Sequence, residues 1–67
     1  MYYIYKQDSA RYVTEYIAES ESDIQDLPID LTTDPNNKCA PGSSCIIPSE
    51  NDLIIYILGI DKTWYKI

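Results

Sequence analysis

Acid–base or nucleophilic chemistry near neutral pH usually relies on histidine, and this chain of 67 residues has none. The remaining candidates are carboxylates and thiols. Asp23, Asp26 and Asp30 lie close together in a segment able to form a short helix. Paired carboxylates could share acid–base work there, but a solvated face is the simpler reading of the same spacing. Cys45 has no evident activating partner, so it reads as a buried thiol rather than a nucleophile. Ser43-Ser44 reads as the entry to a strand, and no glycine-rich phosphate loop or dinucleotide fingerprint occurs. Cys39 and Cys45 with scattered carboxylates match no zinc or EF-hand spacing. The expectation is a chain that is not an enzyme, with no catalytic residue, no metal and no cofactor.

The elements that would position any site are short strands. Residues 1–6 are aromatic and β-branched, and residues 11–18 resume that character after a four-residue polar connection, which predicts an N-terminal hairpin. Tyr12, Thr14 and Tyr16 fall on one side of the second strand, with Val13, Glu15 and Ile17 on the other. Residues 19–31 turn acidic, with Ile24, Leu27, Ile29 and Leu31 as apolar anchors. Ser20 or Ser22 can cap one or two helical turns, and Pro28 prevents a long continuation. Residues 32–44 form a loop, with turns at Asp34-Pro35-Asn36-Asn37 and Pro41-Gly42. Residues 45–67 predict a three-stranded antiparallel meander: a short run ended by Pro48, the apolar Leu53–Leu58, and a closing strand with Trp64 and Tyr65. The fold class expected is mainly β, with a small α+β arrangement as the alternative, in a single small domain.

A chain this short hides only about 60% of its unfolded surface, so it needs a staple or a partner. A Cys39–Cys45 disulfide would close a small loop, stabilising by roughly 2–3 kcal/mol if unstrained. The sequence opens without a basic region and apolar core of the secretory kind. Reduced, partly buried thiols are therefore the favoured state, with self-association as the source of stability. The net charge of −6 and the dispersed Lys6, Arg11, Lys38, Lys62 and Lys66 speak against nucleic acid as a partner. No apolar run approaches the roughly 20 residues of a membrane span.

Seven tyrosines and one tryptophan are a heavy load of large rings for so small a core. Tyr3, Tyr5, Tyr56 and Trp64 are candidates to fill it. Tyr12, Tyr16 and Tyr65 are expected at contacts between chains, where such rings are enriched. Leu53–Leu58 is apolar on both faces, and a sheet covered by one short helix hides only one of them. The interface candidates are accordingly Tyr12, Tyr16, Leu53, Ile55, Ile57, Trp64 and Tyr65.

Leu27-Pro28, the stretch Ala40-Pro41-Gly42-Ser43-Ser44-Cys45-Ile46-Ile47, then Ile55-Tyr56-Ile57-Leu58 and Asp61-Lys62-Thr63-Trp64-Tyr65 together carry a resemblance. Their order is similar to that of short structural proteins from the head and tail modules of tailed bacteriophages, over about two-thirds of the chain, residues 23–67. The insertion at residues 32–38 and the Cys39, Cys45 pair depart from that pattern. The resemblance implies a virion component at the capsid, neck or fibre, made in the host cytoplasm. It would assemble with itself, as a trimer if like fibre modules, and with other virion proteins. An acidic inhibitor of a host enzyme is the alternative from another class. In it, Glu15, Glu19, Glu21, Asp23, Asp26 and Asp30 would stand in for DNA phosphates.

Overall fold

The computed structural model describes residues 1–8, 10–32 and 38–67. The fold is mainly β, a five-stranded sheet in the order β1-β2-β3-β4-β5 with one short 3-10 helix. The strands are β1 (Tyr2–Asp8), β2 (Val13–Ala18), β3 (Ser44–Pro48), β4 (Leu53–Leu58) and β5 (Trp64–Lys66). The helix, η1, spans Glu21–Asp26.

The expected hairpin and meander are both present, but as parts of one sheet. β2 and β3 pair in parallel, with Glu15 opposite Ser44, Tyr16 opposite Cys45 and Ile17 opposite Ile46. Parallel neighbours need a crossover of a dozen or more residues, and the acidic segment with its loop supplies it. The described residues of the crossover, Leu27, Cys39 and Ile24 among them, pack over one face of the sheet and make it the core. The turn expected at Asp34-Pro35-Asn36-Asn37 falls outside the described residues.

β1 runs to Asp8, beyond the expected end of the first strand, and the turn lies two positions beyond the expected one. Between Ile4 and Lys6 the β1–β2 register shifts by one residue, a β-bulge. Asp8 then builds the turn. Its carboxylate accepts the amides of Ala10 and Arg11 at 3.0 and 3.3 Å, and its carbonyl accepts the Tyr12 amide at 2.7 Å. Tyr12 closes the turn at φ 60°.

Alternation along the strands sets the covered face. Ile4, Tyr16, Cys45, Tyr56 and Lys66 stand in one row across the sheet. Tyr16, Ala18, Cys45, Ile47 and Leu58 are buried there, together with Leu27 and Cys39 from the crossover. Tyr16 packs edge-on against Tyr2 and Trp64, at 5.6 and 6.2 Å between ring centres. The Trp64 indole N–H donates to the Pro28 carbonyl at 3.2 Å, pinning the crossover to the last strand.

η1 is short because Pro28 follows within two residues of its end, and no basic residue lies in its last turn. Its start is held from within. The Asp23 carboxylate reaches back to the amides of Glu19 and Ser20, at 3.2 Å each, and also meets the Met1 amine at 2.6 Å. Glu21, one turn away, accepts the Tyr56 hydroxyl at 2.6 Å and pairs with Lys66 at 3.3 Å. Those two are cross-strand neighbours on β4 and β5, so the side chains of η1 tie the residue before β1 to the last two strands.

Candidate assembly surface

The second face of the sheet has no covering element among the described residues. Cross-strand pairing sets Tyr3, Ile17, Ile46 and Ile55 in one row over four strands. The backbone N–H of Ile67 bonds to the Ile55 carbonyl at 2.9 Å and continues this row towards the carboxyl end. Two positions along, on the same face, lie Lys6, Glu15, Ser44, Ile57 and Tyr65. Leu53, opposite Pro48, extends it at the far end. Large side chains are exposed around the margin of this set, with Tyr3 at 58%, Leu53 at 55% and Tyr65 at 53%. Ile17, Ile46 and Ile55 are half-buried only by one another and their neighbours.

One corner of this face is charged. Lys6, Asp8, Arg11 and Glu15 line an open groove with Val13 and Ser44, two bases against two acids. At the opposite rim the Tyr65 hydroxyl donates to Asp61, which raises the Tyr65 pKa above its ordinary value. The Tyr65 ring also lies over Gly59, where any added β-carbon would come within 2.8 Å of it. Gly59, in the β4–β5 turn, leaves room for this ring.

Four expected interface residues, Leu53, Ile55, Ile57 and Tyr65, meet on this open face. Three do not. Tyr16 is 0% exposed, at the centre of the core, because its row is the one roofed by the crossover. Trp64 is half-buried against Tyr16 on that same side. Tyr12 belongs to the β1–β2 turn, with the Lys38 ammonium 4.8 Å from its ring centre. Conversely, Tyr3 and Tyr5, expected in the core, are exposed, and Tyr2 and Ile4 take their place. Tyr3, Ile17 and Ile46 are members of the surface that the sequence reading did not single out. Alternation along β2 and β3 does put Ile17 and Ile46 opposite the buried side chains.

The groups considered for chemistry have other roles. Cys39 and Cys45 are both buried free thiols. Burial, with Asp23 adding to it, pushes the Cys45 thiol up to about 11, opposite to what a nucleophile requires. The bond to the Met1 amine holds the Asp23 carboxyl below the usual range. A general acid needs the reverse. Asp30 pairs with Lys62 at 3.2 Å and accepts the amide and hydroxyl of Thr32. Among the described residues, no group of three or more His, Cys, Asp or Glu is placed to hold a metal ion. No described helix is long and apolar enough to cross a membrane.

Compared with family models, curated proteins and solved structures, the chain matches none.

Proposed function

We propose that the chain is an assembly module, a small structural component of a tailed-phage particle that acts by being packed into a larger object. The observation that carries assembly is the open sheet face, with Tyr3, Ile17, Ile46, Leu53, Ile55, Ile57 and Tyr65 contiguous and covered by no element among the described residues. A domain of this size has little stability to spare, and an apolar patch left in water marks a contact surface. The virion setting rests on the resemblance of residues 23–67 to short phage structural proteins. Its partners would be copies of itself and other virion proteins.

The edges of the sheet favour a contact through the face over strand addition. β1 carries a bulge and Lys6, and β5 has only three residues, both of which oppose pairing with another strand. The inhibitor reading has less support. Of its six carboxylates, Glu21, Asp23 and Asp30 are engaged inside the fold, and Glu15 lies on the open face opposite Lys6. A phosphate-like row would need them free and aligned. Mass spectrometry of purified phage particles tests the proposal. A fixed, stoichiometric copy number is expected, and absence from particles together with capture of a host enzyme would overturn it.

A further inference from the structure

We infer that the occupant of the open face is a second copy of this chain, docked sheet to sheet as a twofold dimer. This deepens the assembly reading and rests on it. Charge argues first for a copy of itself. The chain has eleven acids and five bases. Lys6, Arg11, Asp8 and Glu15 at the corner of the face sum to zero. The whole excess of six negative charges therefore belongs to the turns, the acidic crossover and the covered side. Two copies meeting face to face bring together their least charged surfaces and keep the acidic sides apart. A strongly basic partner would be drawn to the crossover side instead.

Symmetry argues next. Each copy offers one flat apolar face and two blunted edges, so an isologous contact satisfies it and closes. The trimer implied by the resemblance to fibre modules would need two different patches on each copy. Area sets the strength. Strands of about 20 Å at about 4.8 Å spacing give a face of roughly 400 Å² in projection. Two such faces bury about 800 Å², which makes the contact a weak, transient one.

The test is sedimentation equilibrium of the purified chain from about 1 to about 500 µM, a range that covers micromolar to sub-millimolar dissociation constants. A monomer–dimer equilibrium is expected. Ile55→Thr, which keeps a β-branched residue on β4 but removes apolar surface from both copies, weakens it about tenfold or more. Ile60→Thr, which removes an isoleucine that is 90% exposed in the β4–β5 turn, leaves it unchanged. Trp64 emission reports from the covered side whether each variant is folded. If Ile55→Thr does not fold, Leu53→Thr at the strand end decides with the same expectation. A monomer throughout, a trimer, or equal effects of the face and turn variants would overturn the dimer. A chain that is monomeric alone yet stoichiometric in particles keeps the virion reading and removes self-docking. A dimer that never enters particles does the reverse.

Discussion

Asp23 joins three parts of the chain through one carboxylate: the Met1 amine, the amides at the start of η1 and, through them, the crossover. The amine bond lowers the Asp23 pKa below 3.8 and raises that of the Met1 amine above 8.0. A depressed carboxyl contributes stability above its unfolded value, and loses it as pH falls through the folded one. A raised amine contributes below its unfolded value, and loses it as pH rises through the folded one. Cys45 adds a second alkaline loss, because the unfolded thiol ionises from about 9 while the buried one resists to about 11. Melting temperature should therefore be flat from about pH 4 to 8 and fall on both sides. Asp23→Asn should lower the plateau, shrink the acid slope to the part that Glu21 contributes, since the Tyr56 hydroxyl and Lys66 hold its carboxyl low as well, and remove the alkaline slope near 8, leaving the loss above 9. An unchanged acid limb would show that the bond contributes nothing. Tyr16 offers a test of opposite sign. Its hydroxyl is buried without a hydrogen-bond partner among the described residues, beside Thr14 and Cys39. Tyr16→Phe removes that unsatisfied group and keeps the ring, so urea unfolding should show stability unchanged or raised by up to about 1 kcal/mol. A loss larger than that would mean the hydroxyl is bonded in solution.

The join between β2 and β3 is where one element organises the others. Ser43, immediately before β3, accepts the buried Thr14 amide at 3.0 Å and donates to the Ala40 carbonyl at 2.7 Å. Its side chain replaces a ladder bond at the start of the parallel pair. Ser43→Ala strands the Thr14 amide, and should cost about 1–3 kcal/mol by denaturant titration, whereas Ser49→Ala in the exposed β3–β4 turn should cost little. Ser43-Ser44 was legible as strand entry, but the partner of that strand was not. Leu53–Leu58 could be delimited because Asn51-Asp52 and Gly59 punctuate a β-branched run. Nothing local in Val13–Ala18 says that its neighbour lies beyond the crossover. Tyrosines occur on both sides of β1, and which side is buried depends on the pairing of Tyr16 with Cys45. This is why Tyr3 and Tyr16 exchange their expected places, while Leu53, Ile55 and Ile57, read as a run needing cover on both sides, are found where the open face is.

For the whole molecule, the proposed dimer places a chain of net charge −6 against its like, with the acidic crossover of each copy facing outward. The chain measures 34 × 21 × 18 Å, so the charged far sides of two docked copies stand a few tens of ångströms apart. Electrostatic screening changes across that separation. The Debye length is about 30 Å at 0.01 M salt and about 10 Å at 0.1 M. At low salt each copy therefore feels the excess charge of the other, and at moderate salt it does not. An apolar contact between neutral faces should then tighten as salt rises from about 10 to about 200 mM. A contact held by the Lys6, Asp8, Arg11 and Glu15 corner should loosen over the same range, because screening weakens ion pairs formed at a wet rim. Asp26→Lys separates the two accounts. Asp26 is exposed on η1, on the covered side of the sheet, and the substitution brings the net charge to about −4 without touching the open face. It should strengthen association several-fold at 10 mM salt and leave it unchanged at 200 mM. Association weakened by salt, with Asp26→Lys inert, would mean that the charged corner, and not the isoleucine row, holds the two copies together.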